Sequence, residues 1–211
     1  GELVQLDMNI LAKDIIDHKL DIVGLQEVDQ MTKRVKGIDT MKMLSEATGL
    51  KHYRFAKAMD YDGGGYGNGI LSRYPIDEHA SIPLPATNSG EPRSIGHAVI
   101  NVNGNMINFF NTHLEVSSAV ARTWNIAVLT YLLGKCDEFL LVGDMNTVDI
   151  REFNTIKRAS FLNTKSEYPT AGKKGIDNII YSPAWSVLNA GVFDQQHSDH
   201  ALLWAELQYK K

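Results

Sequence analysis

Three features of the 211-residue sequence predict a layered α/β or α+β fold. Short β-rich runs alternate with a few helical patterns, as in sheets covered by helices. Asn103-Gly104 joins two alternating apolar runs, which predicts a tight hairpin. Acid-bearing and imidazole-bearing motifs stand at the ends of the apolar runs, where separate strands can bring them to one edge of a sheet.

The elements follow in order. Residues 6–19 carry Leu6, Ile10, Leu11 and Ile15 at helical spacing, with Asp7 near the start and His18-Lys19 at the end. A strand is predicted at 21–26, and a second helix at 39–48 around Met41, Leu44 and Ala47. Strands are predicted at 53–58 and 69–72. The glycine-rich stretch from Asp62 to Gly69 reads as a loop, since its composition suits neither helix nor strand. Strands at 96–102 and 106–112 flank the hairpin, and residues 118–133 read as a helix capped by Gly134. The remaining strands are expected at 139–143, 177–181 and 200–207. No repeat, linker or low-complexity tail interrupts the chain, so one domain over residues 1–211 is expected.

Bulk properties narrow the function. The net charge of −4 gives no global attraction to nucleic acid, so phosphate binding must be local. The single cysteine, Cys136, excludes an intrachain disulfide and a cysteine-only zinc site. No run of about 18 apolar residues is present, so no membrane-spanning helix is expected. A monomer is expected. Location stays open: cytoplasmic, or secreted or periplasmic if an export signal precedes Gly1.

The motifs carry the chemistry. Glu27 closes an apolar strand, where a hard divalent cation would satisfy a carboxylate; a solvent-facing rim glutamate is the ordinary alternative. Asp144 and Asn146 follow Phe139 to Gly143 and lie two apart, able to hold an attacking water and a phosphate oxygen. An Asx turn after a strand is the other reading. Asp199-His200 opens the last predicted strand, so the two side chains point to opposite faces. Asp177 can orient His200, because a carboxylate fixes the imidazole tautomer and raises its basicity. His113 can donate to phosphate from its strand end. Either histidine alone is more often a surface or satisfied core residue than a catalyst. No Gly-x-Ser-x-Gly elbow, Walker loop or His-Glu-x-x-His motif competes.

Taken in order, Leu25-Gln26-Glu27-Val28-Asp29, Tyr66 to Ile76, Asn111-Thr112-His113-Leu114, Gly143-Asp144-Met145-Asn146, Gly175 to Ile179 and Ser198-Asp199-His200 resemble the endonuclease/exonuclease/phosphatase superfamily. These are deoxyribonuclease I-like and exonuclease III-like metal-dependent phosphoesterases. The resemblance spans nearly the whole chain and rests on the ordered set, not on any one motif. It implies a four-layer sandwich, two mixed β-sheets face to face with helices outside. It also implies hydrolysis of a phosphate ester by in-line attack of water, with magnesium or manganese as cofactor. On this pattern Glu27 and Asp199 serve the metal, while Asp144 activates the water and Asn146 orients it. His200 contacts the scissile phosphate, held by Asp177, and His113 stabilises or protonates on the leaving-group side. Arg93 falls where relatives carry a phosphate-binding arginine, although a solvated surface arginine fits equally well. Asn68 is a weaker candidate for substrate contact. The substrate is a nucleic acid, a phospholipid head group or a sugar phosphate, with Pro83 to Asn88 and the 60–69 loop shaping its pocket.

The chain departs from the family pattern in one major respect. Relatives carry a metal-associated asparagine on a first strand before the glutamate. Asn9 lies only 18 positions before Glu27 and inside a helical pattern, whereas a strand-helix-strand unit needs roughly 30 residues. The first strand is therefore expected to be missing from this chain and to lie upstream in the native protein. A non-catalytic binding module with a degraded metal site is the competing reading. Asn178 stands where relatives have an aromatic residue. Residues 172–175 lack the tryptophan-containing approach of abasic-site endonucleases, which counts against that activity.

Overall fold

The structure, a computed structural model, describes residues 2–86, 90–193 and 198–210, with side chains from Met8 onward. Two β layers face each other. The first contains a three-stranded antiparallel sheet in the order β1-β3-β2: β1 (Ile22–Gln30), β2 (His52–Tyr61) and β3 (Gly64–Ser72). The same layer holds the antiparallel pair β10 (Trp185–Phe193) and β11 (Leu202–Tyr209). Opposite them is a mixed sheet in the order β4-β5-β6-β7-β9-β8. Its strands are β4 (Ile76–Pro83), β5 (Ser94–Val102), β6 (Asn105–His113), β7 (Phe139–Asp144), β8 (Ser160–Phe161) and β9 (Asp177–Tyr181).

Alternation along the strands assigns the faces. Ile107 and Phe109 of β6, with Leu140 of β7, pack between the layers against Ile70, Ala98 and Trp185. Phe110, Phe139 and Leu141 point the other way, onto Ile126, Leu129 and Leu133 of α3 (Ala119–Leu133). That helix is the crossover which the parallel β6–β7 pairing requires. On the far side, α1 (Glu2–Asp17) and α2 (Thr40–Thr48) cover the three-stranded sheet through Ala12, Ile15, Met41 and Leu44 against Val23, Val28 and Leu71. Each such Leu or Ile contributes about 1.5–3 kcal/mol of transfer free energy. The result is the expected sequence of helix, sheet, sheet, helix.

Several boundaries differ from expectation. The glycine-rich stretch is not a loop: only the turn at Asp62-Gly63 is, and β3 begins at Gly64. The glycines are there because β3 is the central strand of a crowded sheet. A Cβ on Gly67 would lie 2.2 Å from the Ala56 carbonyl oxygen. Strands β4, β8 and β10 lie outside the expected elements. In β4 the successive residues Asp77 to Ser81 are all exposed, which erases its alternation. The last strand begins at Leu202, not at residue 200, and α1 spans 2–17 instead of 6–19. Gly134 follows α3 in right-handed geometry, so it is not a left-handed cap. Of the Pro83 to Asn88 segment, Thr87 and Asn88 lie outside the described residues.

No helix among the described residues is long and apolar enough to cross a membrane, which leaves β-barrel spans unaddressed.

Gly143 sets up the functional edge. Its φ is 144°, and a Cβ there would lie 1.9 Å from the Thr112 carbonyl oxygen of the neighbouring strand. Gly143→Ala should therefore cost about 3 kcal/mol or more. Urea denaturation midpoints measure this, and an unchanged midpoint would show that the close approach is not needed.

Candidate active site

Strand register brings three site residues side by side. In the parallel β6–β7 ladder His113 lies opposite Asp144, and in the antiparallel β7–β9 ladder Asp144 lies opposite Asp177. His200 joins them from the bend before β11, its Nδ1 2.8 Å from Asp177 Oδ2. Donor atoms of Asp144, Asp177 and His200 lie within 4.8 Å of one another.

Glu27 arrives by a different device. The β1–β3 register shifts between Leu25 and Val28, and within this bulge Glu27 adopts φ 56°. A bulge re-aims a side chain, and left-handed backbone at a non-glycine residue costs of order 1–3 kcal/mol. The Glu27 side chain is 65% exposed and its Oε1 lies 4.0 Å from His113 Nδ1. Asn111, fully buried, holds the bulge in place: Nδ2 donates to the Leu25 and Gly69 carbonyls, and Oδ1 accepts from Gln26 Nε2.

The electrostatics separate the ionisable groups. Burial, and next the charge of Asp177, raise the Asp144 carboxyl to about 6. The hydrogen bond to Asp177, outweighing desolvation, raises His200 to about 9. Burial and the Arg93 charge lower His113 to about 3. At neutral pH the edge thus holds a protonated His200 beside a neutral His113.

The state of His113 follows from its partner. Arg93 Nη1 lies 2.8 Å from His113 Nδ1, and a guanidinium can only donate. Nδ1 must accept, so the proton sits on Nε2, which points at Asp144 Oδ2 from 3.4 Å. Arg93 is itself paired to Glu91 at 2.6 Å. It is buried, not a solvated surface arginine.

Other predicted residues take less direct positions. Asn146, at φ 51°, donates its Nδ2 to the Leu114 carbonyl and its backbone N–H to Asp144 Oδ1. It therefore ties together the segments that follow His113 and Asp144 at the ends of β6 and β7. Asp199 is exposed and stands outside the three-donor cluster, in a bend where His200 N–H bonds Ser198 Oγ. Strand alternation does not govern that pair, because β11 starts two residues later. Asn68 is almost wholly withdrawn from solvent and donates to the Ser94 carbonyl. Asn178 is buried and bonds the Asn163 backbone in both directions, replacing aromatic packing with a polar clamp.

Three residues escaped the sequence reading. Asn111 was signalled by a polar residue on the inward face of β6, two positions after Phe109. Arg122 was unmarked: it chelates Glu152 and donates to the Glu115 carbonyl, tying α3 to the loops after β6 and β7. Tyr66 is buried, and burial with the charges of Glu27 and Glu91 pushes its phenol well above the usual range. It remains a hydroxyl donor beside Glu27.

The profile of the Endonuclease/Exonuclease/phosphatase family matches residues 3–200. The chain belongs to that family. An endonuclease/exonuclease/phosphatase from Beutenbergia cavernae superposes with a TM-score of 0.76 at 22% identity, covering 96% of this chain and 66% of that one. Mannosyl-6-phosphatase from Bacteroides thetaiotaomicron gives 0.71 at 18% identity, covering 97% and 91%. D. rerio TDP2 complexed with single-strand DNA product gives 0.75 at 16% identity, covering 96% and 92%. At these identities the likeness shows the fold. No curated protein matches the chain.

The raised Asp144 carboxyl has a consequence for stability. Its folded value, about 6, lies above the ordinary 3.8, so the folded state binds that proton more tightly. The resulting penalty is absent below 3.8 and complete above about 6. Asp144→Asn retains an acceptor for the Asn146 N–H and removes the charge. In EDTA at pH 8 it should gain up to about 3 kcal/mol, a gain that fades towards pH 4. A variant less stable than wild type at pH 8 would refute this assignment.

Proposed function

We propose that the chain is a divalent-metal-dependent phosphoesterase that uses this edge to hydrolyse phosphate esters. The observation that carries the reading is the cross-strand placement of Asp144 between His113 and Asp177, with His200 locked onto Asp177. A stability-optimised sheet end would not set two carboxylates opposite each other.

The donor set fits a hard cation. Asp144 and Asp177 are adjacent acids, burial and then the Asp177 charge raise Asp144, and a divalent ion would neutralise both. Asp144 and Asp177 would hold magnesium or manganese, with Glu27 on the open side. When bound, such an ion offsets charge on the phosphate and on the departing oxygen.

The chain's own residues supply the rest. Asp144, poised to about 6, is the base that takes the proton of the attacking water. His113 cannot act as an acid near neutrality, so it serves as a fixed Nε2–H donor to a phosphoryl oxygen. Of the two roles read from the sequence, stabilising and protonating, this geometry supports the first. His200, cationic below about 9, faces the developing charge and is oriented by Asp177. Asn146 and Arg93 keep Asp144 and His113 in register.

The phosphate ester is what the relatives' names share, since one is a sugar phosphatase and another holds a DNA product. A panel of plasmid DNA, RNA, sphingomyelin, inositol phosphates and mannose 6-phosphate, with and without EDTA, should show chelator-sensitive hydrolysis. His200→Ala should lose about 10²–10⁴ in kcat/KM. With magnesium bound the rising limb of the pH profile should lie below the metal-free value of about 6, and the falling limb, near 9, should vanish in His200→Ala. Wild-type rates in both Asp144→Ala and His200→Ala would overturn the reading.

A further inference from the structure

Beside β9 the six-stranded sheet ends early. β8 pairs with β9 only at Ile180 and Tyr181, and the last backbone bond on that side runs from the Leu162 N–H to the Ile179 carbonyl. Among the described strands none flanks Asp177 there, yet both backbone groups of Asp177 face outwards. Its N–H donates to Thr170 Oγ1 at 3.2 Å, and its carbonyl accepts from Asn163 Nδ2 at 3.2 Å. Two side chains take the place of a ladder partner. A residue that gives neither backbone group to its neighbour forms the non-hydrogen-bonded kind of pair, in which facing side chains come closest. Asp177 meets Asp144 in that way.

Thr170 has a second attachment. It is 2% exposed, and its carbonyl accepts the Ala201 N–H at 2.7 Å. Its own N–H bonds the Lys174 carbonyl at 2.9 Å, closing the turn that leads into β9. Asp177 and His200 lie 23 residues apart in the chain, yet one residue holds the backbone of the first and the backbone beside the second. Their 2.8 Å side-chain bond stands on that common support. His200 itself sits in a bend before β11, where its N–H bonds the hydroxyl of the exposed Ser198.

We propose that Thr170 is the positioning residue of the Asp177–His200 pair. Its hydroxyl and carbonyl fix the two backbones so that the imidazole meets the carboxylate in one geometry. The proposal rests on the phosphoesterase reading of this edge. Thr170 touches no substrate and acts through His200, as groups behind a site orient those that face it. The hydroxyl matters and not the volume alone, because valine would fill the space and leave the Asp177 N–H without an acceptor.

Thr170→Val tests this directly, and Thr170→Ser is the conservative partner that keeps the acceptor. With bis-p-nitrophenyl phosphate at saturating magnesium, Thr170→Val should lose about 10–100-fold in kcat with KM little changed. Thr170→Ser should restore most of that loss. In a His200→Ala background the valine substitution should cost far less, because its effect passes through His200. Proton NMR of the metal-free chain in EDTA gives a readout independent of activity. An imidazole N–H bonded to a carboxylate shows a downfield, slowly exchanging resonance, identified here by its loss in His200→Ala. It should be present in wild type and Thr170→Ser and broadened away in Thr170→Val, with amide dispersion showing each variant folded. If Thr170→Val does not fold, Thr170→Ala replaces it in both measurements. Wild-type kcat in Thr170→Val, an equal loss in both backgrounds, a serine variant as impaired as the valine one, or a resonance untouched by valine would overturn the proposal. A wild-type chain that hydrolyses no phosphate ester, with the resonance behaving as stated, would sink the proposed function and leave the positioning role standing.

Discussion

Asp144 and Asp177 face each other across the β7–β9 ladder, and the site is organised around a buried acid set opposite a second one. Like charges directly opposite on a sheet are destabilising, more so when one is buried. Every neighbour of the pair addresses that problem. His200 neutralises Asp177 through a 2.8 Å hydrogen bond, and the Asn146 N–H supports Asp144. His113 brings a neutral donor, not a second cation, because Arg93 occupies its other nitrogen. What is left is one carboxyl poised near neutrality, which is the property a general base needs.

Holding these groups in place depends on backbone features away from the chemistry. Gly143 lets β7 approach β6 closely enough to align His113 with Asp144. Glu27 and Asn146 occupy left-handed conformations, the strained positions expected where a site overrides local preference. Asn111 ties the Glu27 bulge to the facing sheet, and Arg122 ties the loops after β6 and β7 to α3. These two contacts make the position of each site residue depend on the packing of both layers.

Much of this was legible in the sequence, and the reasons are specific. The runs ending in His113 and Asp144 and the run opening at Asp177 are short, largely buried and bounded by polar motifs, so strand ends and site residues coincide. Strand pairing was less legible, because register is a long-range property. Nothing local announces that Asp144 sits opposite Asp177 and not one residue along. The glycine stretch misled because glycine signals loops by its freedom, whereas here it was needed for the close approach of three strands. Asp199 and Asn68 were placed by motif alone. The Asp199 side chain is exposed outside the three-donor cluster, and the buried Asn68 amide is bonded to the Ser94 carbonyl.

The central claim is that burial, reinforced by the charge of Asp177, raises the proton affinity of Asp144 and that a divalent ion relieves it. Carbon-detected NMR titration of the aspartate carboxyls tests it most directly, first in EDTA and then in magnesium. The account predicts an Asp144 midpoint near 6 without metal and a clear fall once magnesium is present. A midpoint in the ordinary carboxylate range, unmoved by magnesium, would contradict it.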